Sequence, residues 1–66
     1  MILLTKERKD RGLSMSALAR AAEMHVSSIS QIEGGHLKPY PGQVEKLATA
    51  IEWNGAPIDL FREIGE

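Results

Sequence analysis

Residues 8–39 read RKDRGLSMSALARAAEMHVSSISQIEGGHLKP, and this stretch decides the fold. Gly12 supplies a left-handed stop to the helix before it, and Ser14 is a natural N-cap for the one after. From Met15 to about Ala22 the chain has good helix formers, with Leu18 and Ala22 stacked four apart on one face. Glu23-Met24-His25 carries neither Gly nor Pro. Ser27, Ser28 and Ser30 beyond it are weak helix formers that still fit a third helix, buried through Ile29, Ile32 and Met24. Gly34-Gly35 ends that helix, and Lys38-Pro39-Tyr40-Pro41 makes a stiff loop. Two helices of about two turns, joined by about three residues over positions 14–34, describe a helix-turn-helix.

Upstream, Ile2 to Arg11 predicts a first helix, with Leu4 as its clearest core residue and the cations Lys9 and Arg11 in its last turn, where they suit the helix dipole. Downstream, Pro41 sits where a first-turn proline is tolerated, and Val44, Leu47, Ala48 and Ile51 give a fourth helix its 3-4 apolar stripe. After a turn at Asn54-Gly55, Pro57 opens a short fifth helix in which Ile58, Phe61 and Ile64 recur at three-residue spacing. No alternating β pattern and no linker or repeat interrupts the series. The expectation is an all-α, compact five-helix domain occupying residues 1–66 as one unit.

A chain of 66 residues builds only a marginal core, so the helices must pack closely or find support elsewhere. With no cysteine and no His, Asp and Glu at metal-ligand spacing, neither a disulfide nor a zinc site is expected, and no cofactor is implied. Self-association is the remaining support. Apolar runs such as Ile2-Leu3-Leu4 and Ala21-Ala22 are too short for a membrane span or a signal-peptide core, which predicts a cytoplasmic protein without membrane contact. The formal charge is -1, not the basic balance of a protein held mainly by phosphate attraction. The charge is uneven: residues 1–40 carry a net +2 and residues 41–66 a net -3. An anionic partner should meet the first part.

Gly12-Leu13-Ser14, Leu18-Ala19, Ile29-Ser30-Gln31-Ile32-Glu33, Gly35 and Lys38-Pro39 stand at the spacing of the phage-repressor, Cro/C1-type (lambda-repressor-like) helix-turn-helix family, which the chain resembles over nearly its whole length. The resemblance implies a sequence-specific regulator of transcription, a repressor, that lays its third helix in the major groove of double-stranded DNA. It also implies an ion pair between Arg8 on the first helix and Glu33 late in the third. The family's base-reading positions map onto Val26, Ser27 and Gln31: a valine can meet a thymine methyl, a serine several base edges, and a glutamine pairs with adenine through two bonds. Its phosphate contacts map onto Ser28, His36 and Lys38. Helical period agrees, because with Ile29 and Ile32 facing inward, Ser27, Ser30, Gln31 and Gly34 face outward.

Several positions depart from the family pattern. Met15 replaces a phosphate-clamping glutamine, His25 a small polar N-cap, Glu23 a turn glycine, and His36 and Leu37 stand where Lys or Arg is common. Lys38 is then the loop's only permanent charge. These departures and the acidic balance motivate a second reading, a helix-turn-helix used as a protein-interaction module such as an antitoxin or adaptor. An apolar face of Met15, Val26 and Leu37 would favour that reading, whereas continuity of Ser27 and Gln31 with Arg11 and Lys38 would favour DNA. His25 and His36 have no partner that would make them catalysts, and a chain this short has little interior for a pocket, so no enzyme is expected. Family domains commonly pair as twofold dimers, here through helices four and five. Tyr40 is read as an interface or phosphate contact, and Trp53 as packing on helix five or on a second subunit.

Overall fold

The computed structural model describes residues 1–65. Four α-helices follow one another: α1 (Leu3–Asp10), α2 (Met15–Ala22), α3 (Val26–Glu33) and α4 (Pro41–Ala50), and then a 3₁₀ helix (Pro57–Phe61). The Ser14 hydroxyl accepts from the Ala17 N–H at 3.0 Å and so caps α2. At α4, Pro41 occupies the first turn and the Gln43 side chain accepts from the Tyr40 N–H at 3.0 Å. α2 packs on α3 and α4, and the 3₁₀ helix bridges α4 and α1. Leu4, Leu18, Ile29, Leu47 and Leu60 are fully buried where these elements meet. Ala19 is 4% exposed, and a small residue there lets α2 approach its neighbours closely. No helix of the described residues is long and apolar enough to cross a membrane.

All four α-helices stop in the same way. A left-handed residue turns the chain, its N–H returning three residues back and the next N–H five residues back, which satisfies the carbonyls that a helix end leaves free. The bonds are Gly12 to Lys9 and Leu13 to Arg8, Glu23 to Arg20 and Met24 to Ala19, Gly35 to Ile32 and His36 to Gln31, and Glu52 to Thr49 and Trp53 to Ala48. Gly12 and Gly35 adopt φ of 70° and 81° without strain. Glu23 and Glu52 hold φ of 57° and 55°, where an L side chain costs roughly 1–2 kcal/mol.

The last element corrects the expected fifth α-helix. Residues 57–61 form a 3₁₀ turn, after which Arg62 returns to extended backbone and Glu63 forms an antiparallel bridge with Ile2. The Leu3 N–H donates to the Arg62 carbonyl at 3.0 Å and the Ile64 N–H to the Met1 carbonyl at 2.9 Å. This closure by the first residues of the chain stops the helix after five residues. It also overturns the expected apolar stripe. Ile58 is 66% exposed, Phe61 and Ile64 are half-buried, and Leu60, outside the stripe, is the buried anchor. Met24 packs half-buried from the turn before α3, not from the helix itself. Trp53 folds back over Gly55, its indole N–H donating to the Ala56 carbonyl at 3.0 Å, and so closes the turn ahead of the 3₁₀ helix.

Candidate nucleic-acid interface

The buried edge of α3 consists of Ile29 and Ile32, 0% and 3% exposed, three residues apart against α2 and the core. Fixing that edge turns the opposite side outward, and Val26, Ser27, Ser30, Gln31 and Gly34 are all exposed. The far end of α3 is held from α1. Arg8 Nε donates to Glu33 Oε2 at 2.8 Å and Nη2 to Oε1 at 3.0 Å, with the two side chains 8% and 4% exposed. Arg8 Nη1 also donates to the Leu13 carbonyl at 2.8 Å. One guanidinium therefore fixes α3 to α1 and to the segment leading into α2. A planar fork suits this task better than the point charge of a lysine.

Val26 is 46% exposed at the start of α3, and Ser27 and Gln31, one turn apart, share its open side. Ser28 is half-buried at the flank. His36 and Lys38 are exposed in the loop beyond α3. The His36 ring lies against Gly34, where a Cβ would come within 3.1 Å of the ring and 3.2 Å of the Ser30 carbonyl. Gly34 thus gives room to the ring while Gly35 provides the turn. His25 precedes α3 in extended conformation and makes no side-chain capping bond; its carbonyl accepts from the Ser28 and Ile29 N–H groups, and those of Val26 and Ser27 have no partner among the described residues.

The cations are distributed differently from the simplest expectation. Arg11 is not available beside Lys38: its Nε donates to the Ile51 carbonyl at 3.0 Å, and Nη1 engages both the carbonyl and the carboxylate of Glu7. It ties α1 to the end of α4. Lys6 is held by Asp10 at 2.7 Å, and that hydrogen bond raises the pKa of the ammonium. Among the described residues Lys9, Arg20, Lys38, Lys46 and Arg62 are exposed and in no ion pair, and of these Lys38 alone stands in the loop after α3. Met15 and Leu37 are half-buried against the core. Of the three apolar residues that would build a protein-binding face, Val26 alone is exposed.

Sequence reasoning missed the Arg8 bond to the Leu13 carbonyl and the Arg11 bond to Ile51. The first was accessible from the tight turn at Gly12. The second joins residues 40 positions apart, and no local pattern reports it. Tyr40 is 69% exposed, with its backbone N–H used in the cap of α4 and its ring left free of that role.

No curated protein and no solved structure matches the chain. A helix-turn-helix domain family matches the chain over residues 2–61, from the bridge residue Ile2 through the end of the 3₁₀ helix. It takes in α1 and α4, which hold the α2–α3 pair, as well as the pair itself, and on that extent the chain belongs to the helix-turn-helix domain family.

Proposed function

We propose that the chain is a sequence-specific DNA-binding regulator, a repressor of the Cro/C1 type, that reads the major groove with α3. The carrying observation is the open polar side of α3, with Ser27 and Gln31 exposed one turn apart on a helix whose other side and far end are both fixed. Val26, Ser27 and Gln31 read base edges, and Gln31 carries the most information because its amide can pair with adenine through two bonds. Ser28, His36 and Lys38, with the free N–H groups at the start of α3, meet phosphates and set the register. With Lys38 the one permanent charge in the loop after α3, affinity per monomer is modest and sensitive to salt.

A dimer strengthens such binding, and we place its contact on α4 and the 3₁₀ helix, where Ile58 is 66% exposed next to Pro57, Pro41 and Pro39. Monomeric sedimentation at tens of micromolar would overturn the dimer. The half-burial of Met15 and Leu37 argues against the protein-interaction reading. Selection of bound duplexes from a random pool at about 50 mM salt tests the main proposal. An inverted repeat with half-sites about one helical turn apart is the expected result, and recovery of no motif would favour a protein partner.

A further inference from the structure

Behind the loop that carries His36 and Lys38 lies an open groove of about 740 Å³. Its floor is apolar and comes from separate elements: Ile32 of α3, Leu37 of the loop, Val44 of α4 and Phe61 of the 3₁₀ helix, with Ile58, the residue placed in the dimer contact, at its edge. The size falls within the roughly 300–1,000 Å³ of small-molecule sites, which combine an apolar lining with a few placed polar groups. Here those groups are cationic. Lys38 and Arg62 both line the groove, and among the described residues neither is in an ion pair. Glu63 is the acid beside them, and its carboxylate takes the N-terminal ammonium at 3.2 Å.

We propose that this groove binds an amphipathic organic anion, a carboxylate of medium chain length, with its tail on Leu37, Val44 and Phe61 and its head between Lys38 and Arg62. An apolar floor alone would take any hydrophobic occupant. Two unpaired cations at its rim select one that brings a negative charge, and a small carboxylate satisfies them without a second protein surface. Lys38 cannot serve a bound carboxylate and a DNA phosphate together, so occupancy lowers affinity for DNA. That antagonism rests on the proposed function; the binding of the anion does not.

Octanoate, 1-octanol and octylammonium, titrated into the ¹⁵N-labelled full chain and followed by amide shifts, test the site. Octanoate is expected to saturate, to shift the amides around Leu37, Val44 and Phe61, and to bind roughly fivefold or more tightly than either analogue, as a charge-assisted contact requires. Arg62→Gln should remove most of that preference and leave 1-octanol unchanged. Because the Arg62 carbonyl, not its side chain, bonds to the Leu3 N–H, the variant should keep the native spectrum. Lack of saturation, equal binding of octylammonium, shifts on another face, or a groove filled by a second copy with concentration-dependent shifts would each overturn the proposal. A second arm measures affinity for the selected duplex. Saturating octanoate should weaken it for the native chain, and unchanged affinity would overturn the antagonism. A chain that binds octanoate as described and no duplex at all would refute the DNA reading alone.

Discussion

Arg8 and Glu33 meet through two nearly parallel hydrogen bonds of 2.8 and 3.0 Å, buried between the first helix and the last turn of the third. Each charge depends on the other, since neither side chain is more than 8% exposed. Arg8→Ala strands the carboxylate and also removes the donor to Leu13, a loss of about 3–5 kcal/mol for a broken buried pair. Domains of this size have roughly 3–10 kcal/mol in total. Urea denaturation should therefore find Arg8→Ala close to unfolded in buffer. Replacing both partners, Arg8→Met with Glu33→Leu, should recover most of the stability, because two desolvated charges leave together. A melting temperature for Arg8→Ala equal to that of the parent would show that the pair does not support the fold.

Two helix ends use glutamate where the left-handed turn suits glycine. Glu23→Gly and Glu52→Gly should each stabilise the protein by about 0.5–1 kcal/mol, the relief of backbone strain less the greater freedom glycine gives the unfolded chain. The two turns end different helices, so the gains should add. Thermal unfolding is the measurement, with an expected rise of several degrees per substitution in a domain this small. A fall in either midpoint would mean that the glutamate side chain contributes a contact larger than its strain.

Leu60 and Ile58 make a paired test of the final turn. Leu60→Ala should cost about 2–5 kcal/mol, since it empties a fully buried site. Ile58→Ala, at a residue 66% exposed, should change monomer stability by less than about 0.5 kcal/mol. Reversed magnitudes would indicate an α-helical register with Ile58 inward.

If α3 reads DNA, its residues separate by kind of loss. Gln31→Ala should weaken the selected site by about 1–3 kcal/mol and relax preference at one base pair. Lys38→Ala should weaken every sequence alike and reduce the slope of log affinity against log salt by about one. Competition binding over a range of salt distinguishes them, and equal losses on selected and random duplexes for Gln31→Ala would remove it from base reading.

The helix-turn-helix was legible because its information is local. Ser14, Gly12 and Gly35 punctuate the helices, and Leu18, Ile29 and Ile32 show which sides face inward. The outward side of α3 followed from the same period, so Ser27 and Gln31 are exposed as the geometry of a helix requires. The end of the chain was not legible by that method. Spacing of three at Ile58, Phe61 and Ile64 is real, but the segment is bent by its bridge to Ile2, a constraint from the other end of the sequence. The bond of Arg11 to α4 was hidden for the same reason. A cation in the last turn of a helix reads as solvated until the Ile51 carbonyl, 40 residues away, is brought against it. The buried ion pair was suggested by resemblance, and its second anchor at Leu13, only five residues from Arg8, lay within reach of the tight turn at Gly12.

The bridge that joins Ile2 to Glu63 brings the first and last described segments to one corner, so the chain is close to a topological ring. Local order can form early at the α2–α3 turn, whereas the ring closes over about sixty residues, a loop whose closure carries an entropy cost that the local turns do not. Detachment of either end opens the same latch and frees Leu3 and Ile64 together. Hydrogen exchange at those two amides would then share one opening energy, and the corner would act as the clasp of the whole domain.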